Sequence, residues 1–177
     1  LTDVSFSADY VPRFSIAALD DFDGDGLSEL VMGYEYGSDL NNNLIYSGTT
    51  RIFKSTSYAN ATEISTSDIE WFGPNTEAWL MGVVNDGDID QDGLGDLLML
   101  AHKAQVGFVD TGKVYLYYGS SLSALSGTVD ITTADKTFIG ISESNNRNVT
   151  VADIDGDGVQ DILLGDPWTS HNGLDYT

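Results

Sequence analysis

Cysteine is absent from this 177-residue chain, which excludes a disulfide framework and any thiolate metal site. Basic residues are scarce: 7 Lys and Arg stand against 28 Asp and Glu, a formal net charge of −21. Nucleic acid and anionic membrane surfaces would repel such a chain, whereas polyvalent cations would complement it. No apolar run approaches the roughly 20 residues that cross a bilayer, and Leu1-Thr-Asp opens no charged-then-apolar leader. Membrane insertion is therefore not expected of this segment. Sustained 3.6-residue periodicity is also missing, so long helices are not expected. There is no Gly-x-Ser-x-Gly elbow, no His-Glu-x-x-His pair and no phosphate-cradling glycine loop.

An apolar fraction of 41%, with 11% aromatic residues, is instead that of a chain with a packed core. Its most informative feature is an acidic nonapeptide present three times. The copies are Asp21-Phe-Asp-Gly-Asp-Gly-Leu-Ser-Glu29, Asp88-Ile-Asp-Gln-Asp-Gly-Leu-Gly-Asp96 and Asp153-Ile-Asp-Gly-Asp-Gly-Val-Gln-Asp161. Their first aspartates lie 67 and then 65 residues apart, which marks a structural repeat. The loops hold 12 of the 28 acidic residues, so much of the acidity is a metal-site signature.

Calcium takes six to eight hard oxygen ligands, and alternate carboxylates on a curled loop supply them. Three calcium sites are expected. Their side-chain ligands are Asp21, Asp23, Asp25 and Glu29; Asp88, Asp90, Asp92 and Asp96; and Asp153, Asp155, Asp157 and Asp161. The seventh residues, Leu27, Leu94 and Val159, would offer backbone carbonyls while their side chains pack inward. Glycine at position 6 (Gly26, Gly93, Gly158) suits the sharp turn. A helical EF-hand would need a bidentate glutamate at position 12, where Met32, Met99 and Leu164 stand instead. The loops therefore read as β-hairpin loops.

Each loop follows a first strand (14–19, 79–84 and 148–152) and precedes a continuous apolar second strand (30–32, 97–100 and 162–164), read as buried on both faces. Third strands are read at 48–53 and 112–117, and fourth strands at 71–73 and 138–140. The aromatic run Tyr115-Leu-Tyr-Tyr118 is expected to be mainly core. Four short antiparallel strands per repeat describe an all-β fold of propeller blades. Approximate repeats are 1–73, 74–140 and an incomplete 141–177, within one domain over 1–177.

The loops, the Gly112-Lys-Val-Tyr-Leu-Tyr117 strand and Leu164-Gly-Asp-Pro167 resemble the FG-GAP repeats of integrin α-subunit β-propellers. The flanking signature departs from the family's Gly-Ala-Pro, with Gly33-Tyr-Glu35, Ala101-His-Lys103 and Gly165-Asp-Pro167 in its place. The period allows about 2.7 repeats, whereas propellers close with about 4 to 8 blades. The chain is therefore read as about three blades of a larger ring of roughly 6 to 8. The remaining blades would come from a longer chain or from neighbouring chains, and an open stack would expose an apolar face at each end.

The resemblance implies a non-enzymatic, calcium-stabilised, extracellular scaffold for adhesion or ligand binding. Protein or glycan ligands would meet the loops at 34–45 and 102–112. Two other readings stand beside it: an accessory or catalytic propeller of a secreted polysaccharide-degrading enzyme, and a structural subunit of a cell-surface assembly. Glu35, Asp110 and Asp166 are carboxylates outside the loops, and no spacing pairs them as acid and base. His102 and His171 fall in no motif and are read as surface or loop residues. Asn60 and Asn148 begin glycosylation acceptor patterns, with Asn60 the better placed.

Overall fold

Short strands separated by glycine-rich and aspartate-rich turns leave the chain few ways to bury apolar surface except by pairing strands and stacking the sheets. The computed structural model describes residues 14–58, 66–83, 87–140 and 148–165. Its strands are β1 (Phe14–Leu19), β2 (Glu29–Tyr34), β3 (Thr49–Phe53), β4 (Ile69–Phe72), β5 (Leu80–Val83), β6 (Leu97–Ala101), β7 (Gln105–Val106), β8 (Val109–Asp110), β9 (Lys113–Tyr117), β10 (Gly127–Val129), β11 (Lys136–Ile139), β12 (Asn148–Ala152) and β13 (Asp161–Gly165). Two single-turn helices, α1 (Ser55–Tyr58) and α2 (Gly119–Leu122), follow β3 and β9. The fold is all-β, and among the described residues no helix is long and apolar enough to cross a membrane.

β1 through β4 form an antiparallel meander with β10 added in parallel along the edge of β4. A second antiparallel sheet runs in the order β5-β6-β9-β11, and β12 pairs with β13 as a third. The expected first, second, third and fourth strands are all present, shifted by a residue or two at their ends. Trp79 lies just outside β5, and Val84 falls outside the described residues. The β7–β8 hairpin and the parallel β10 have no counterpart in the sequence reading. β10 comes from the second repeat but lies against the first sheet, where its Gly127 N–H donates to the Asp68 carbonyl at 2.7 Å.

Side chains alternate across a strand, so a sheet between two others must be apolar on both faces. β6 meets that requirement, with all five of its residues buried. Leu97 and Met99 join Leu19, Val31, Ile52 and Trp71 of the first sheet in one core. Leu98 and Leu100 join Val114, Leu116 and Val149 in another. The expectation of burial on both faces therefore holds for β6 but not for the other two second strands. β2 alternates in burial, and on β13 Leu163 and Leu164 are 38% and 39% exposed. Both strands lie in outer layers of the described stack. The outer face of the first sheet likewise leaves Phe14, Ile16 and Tyr34 substantially exposed.

Tyr115, Leu116 and Tyr117 are buried, as the aromatic run suggested, and Tyr118 is half-buried. The Trp71 ring packs on Tyr117 at 5.3 Å between centroids, and the Tyr117 hydroxyl donates to the Asp130 and Ile131 carbonyls at 3.3 Å. Gly48 makes the closest seam between the first two sheets. It sits at φ +81, and a Cβ there would lie 2.0 Å from the Leu80 backbone nitrogen. Trp71→Ala should cost about 3 to 5 kcal/mol, as expected for emptying a fully buried aromatic site, measured by urea denaturation. Gly48→Ala should also lower the urea midpoint, because both its backbone conformation and the neighbouring strand oppose a side chain.

Candidate metal centre

The hairpin between each first and second strand is shaped by its opening aspartate. Asp21 Oδ1 accepts from the Gly24 and Asp25 amides at 2.6 and 3.1 Å, and its Oδ2 accepts from Gly26 at 2.7 Å. Asp153 repeats the arrangement with Gly156, Asp157 and Gly158. Asp88 does so with Asp92 and Gly93. Position 5 then accepts from the position 7 amide, at 2.8 to 2.9 Å in the three loops. Position 9 reaches back to the position 2 amide: Glu29 to Phe22, Asp96 to Ile89 and Asp161 to Ile154. The turn at position 6 has the left-handed backbone expected of it, with φ of +87, +88 and +87 at Gly26, Gly93 and Gly158.

These bonds turn carboxylates toward one another. Asp21, Asp23, Asp25 and Glu29 each place an oxygen within 4.8 Å of the others. Asp88, Asp90 and Asp96 converge in the same way, as do Asp153, Asp155 and Asp161. Position 5 joins its cluster only in the first loop. There the Ser55 hydroxyl donates to Asp25 Oδ2 at 2.5 Å, whereas Asp92 and Asp157 stand outside their clusters.

Position 7 corrects the sequence reading. The Leu27 and Val159 side chains are 58% and 42% exposed, and Leu94 is half-buried. These residues lie on the loops beyond the sheet, and Leu94 sits close to Gly119 of α2. The inward-packing residue of the first loop is Phe22 at position 2, which is fully buried. Its signal was an apolar side chain between two aspartates, which the ligand pattern obscured.

Burial and mutual repulsion both act on the clusters. Burial, with Asp23, Asp25 and Asp21 nearby, outweighs the Phe22 amide and pushes Glu29 up to about 7. Burial raises Asp96 to about 6 against the Gly119 and Ile89 amides, and burial is also the main cause of the rise at Asp90. Burial would raise Asp21 as well, but its backbone donors win and hold it below the usual aspartate value. Glu29 is 1% exposed, and its Oε1 has no hydrogen-bond partner. A buried oxygen of this kind, in a convergent set of carboxylates, suits a hard divalent cation.

The three loops lie side by side. The Gly95 N–H donates to the Asp21 carbonyl at 3.0 Å, and a Cβ on Gly95 would come within 2.3 Å of the Asp20 carbonyl oxygen. Gln91 reaches from the second loop to the Gly158 carbonyl of the third at 2.8 Å. Gln91 itself adopts φ +62, a conformation costly for a residue with a side chain.

At the other end of the strands, the loops after β2, β4 and β6 are knit together. Glu77 and Trp79 amides donate to Ile45 and Tyr46 carbonyls, and the Gln105 amide donates to Asn75 Oδ1. Trp79 packs against Tyr36 and His102, with the Lys103 ammonium 3.9 Å from its ring centroid. His102 is not a surface residue: it is 6% exposed, with Nε2 3.3 Å from Oε1 of the buried Glu35. Burial between the ends of β2 and β6 overrides the usual preference of histidine for the surface. Asp110 accepts from the Gln105 side chain. Phe108 and Leu40, in the two expected recognition loops, are 99% and 78% exposed. Asp86, Asp166, His171 and Asn60 lie outside the described residues, and Asn148 begins β12.

A family model described as an FG-GAP-like repeat matches residues 88–164. Integrin alpha-4 of Xenopus laevis is 29% identical over 147 residues, covering 82% of this chain and 13% of the integrin. Integrin alpha-3 of Cricetulus griseus is 28% identical over 152 residues, covering 85% of this chain and 14% of the integrin. Phosphatidylinositol-glycan-specific phospholipase D of Bos taurus is 34% identical over 106 residues, covering 56% of this chain and 12% of that protein. The chain thus spans about one eighth of the length of the curated relatives it matches. With its triplicate acidic hairpins and stacked sheets, the chain carries an FG-GAP-like repeat over residues 88–164 and is similar to integrin α-chains over most of its length.

Proposed function

We propose that this chain is part of an extracellular β-propeller whose acidic loops bind calcium, and that it serves as a non-catalytic scaffold for adhesion or ligand binding. The observation that carries the reading is the first loop, where four carboxylates converge around the buried, unpartnered Glu29 Oε1. Calcium there would be held by Asp21, Asp23, Asp25 and Glu29, with the Leu27 carbonyl as a further donor. Asp88, Asp90, Asp92, Asp96 and the Leu94 carbonyl would serve the second ion. Asp153, Asp155, Asp157, Asp161 and the Val159 carbonyl would serve the third. The ion supplies positive charge that offsets carboxylate repulsion, so its role is structural. Loop sites of this class work at about 10⁻⁴ to 10⁻³ M calcium, which supports an extracellular setting.

The stacked sheets are read as blades of four antiparallel strands, in repeats of 1–73, 74–140 and 141–177 within a ring of roughly 6 to 8 blades. Similarity to two integrin α-chains over more than four fifths of this chain supports the adhesive reading. The ligand surface is placed on the loops at 34–45 and 102–112, whose exposed Leu40 and Phe108 suit contact with a protein. The match to a phospholipase D favours a second reading, in which the segment accompanies a catalytic domain elsewhere in a longer protein.

Calcium at 100 times its dissociation constant should add about 2.7 kcal/mol per filled site. For a chain of this size that corresponds to a rise of roughly 5 to 10 °C per site in a thermal melt. Superimposable melts in calcium and in chelator would overturn the reading. Asp88→Asn should reduce the calcium-dependent rise by about a third and, because one of the two oxygens that accept the Asp92 and Gly93 amides is lost, should also lower the melt in chelator. Magnesium at the same concentration should stabilise less than calcium, because it requires octahedral geometry and retains its waters.

A further inference from the structure

Both third strands are followed by one residue and then a single-turn helix that docks on an acidic loop, but the two repeats make this contact with different chemistry. After β9, Tyr118 precedes α2, and the Gly119 amide donates to Asp96 Oδ1 at 2.8 Å. After β3, Lys54 precedes α1. Its ammonium lies 3.2 Å from Asp23 Oδ2 and 5.2 Å from the centroid of the buried Phe22 ring. Ser55 holds Asp25, and the Tyr58 hydroxyl donates to the Ser28 carbonyl at 2.5 Å. The segment from Lys54 to Tyr58 thus fastens the first loop at three points.

Lys54 and Tyr118 occupy equivalent places, one residue beyond β3 and β9, but Lys54 faces the position 3 aspartate of its loop whereas Tyr118 packs against the second core. Burial is the main cause that raises the Tyr118 phenol, with Asp90, Asp96 and Asp135 adding to it. A neutral phenol cannot offset carboxylate charge as an ammonium does. The fourth carboxylate of the first cluster is Asp25, which the Ser55 hydroxyl holds in place, whereas position 3 joins the cluster in all three loops.

We propose that Lys54 is a resident counter-ion of the first acidic loop, and that it makes this loop take up a divalent cation at higher concentration than the second. The inference rests on the calcium reading above. Asp23 Oδ1 and Glu29 Oε1 remain buried and without hydrogen-bond partners beside the ammonium, so the site is built for a cation and partly neutralised in advance. A positive charge a few ångströms from the ligands opposes the entry of another, and salt weakens that opposition.

The test is a calcium titration of the whole chain by NMR, with the amides of Gly26 and Gly93 reporting the first and second loops separately. In the native chain the Gly26 midpoint should lie above that of Gly93. Lys54→Met should lower the Gly26 midpoint by about tenfold and leave Gly93 in place, while Lys54→Arg should keep the native order. Lys54→Gln serves the same purpose if the Met variant fails to fold. A Gly26 midpoint that stays or rises in the neutral variants overturns this inference and leaves calcium binding intact. If neither amide moves with calcium in the native chain, the calcium reading falls and this inference falls with it.

Discussion

The structure depends on the double-sided burial of β6. A five-residue strand with no exposed side chain is stable only while apolar layers cover both faces of its sheet, and here the covering layers come from both sides in the chain. Leu97 and Met99 need the first sheet, and Leu98 and Leu100 need β12 and β13. This constraint sets the stacking direction, and the stacking brings successive hairpin loops to the same edge. The acidic loops are neighbours because the sheets beneath them are. Their ties through Gly95 and Gln91 follow from that proximity.

The two ends of the stack carry different physics. At one end, carboxylates are gathered by backbone donors, with the Lys54 ammonium beside the first cluster. At the other, polar and charged groups have partners within the chain: His102 with Glu35, Lys103 over Trp79 and Asp110 with Gln105. Aromatic rings pack among the charged groups there, and backbone bonds join one loop to the next. The acidic end therefore concentrates like charge, while the opposite end is held in shape by contacts between its own loops.

Much of this was legible in the sequence. Alternating aspartates with glycine at position 6 located the hairpins, and the apolar runs beside them located most strands. The repeat period placed equivalent elements in successive layers. What could not be read depended on long-range contacts. Nothing local to Lys54, Ser55 or Tyr58 marks them as partners of a loop some 30 residues earlier. The parallel pairing of β10 with β4 joins segments about 60 residues apart and carries no alternation of its own in three residues. Leu27 departs from the sequence reading because apolar character does not ensure burial, and position 7 lies on the loop beyond the strands. Asp25, Asp92 and Asp157 look alike in sequence, and only the hydroxyl of Ser55 separates the first from the others.

The Gly95 contact carries a mechanical consequence. Because the Asp20 carbonyl leaves no room for a side chain, the first two loops meet backbone to backbone, with an amide-to-carbonyl bond between them. Rings that touch only through side chains can shear by rotamer changes, but a backbone seam transmits displacement directly. A load on the loops beyond β2 or β6 meets backbone bonds between layers at both edges, through Gly95 at the acidic one and through Glu77, Trp79 and Leu80 at the other, so the first two layers resist shear at both ends of their strands.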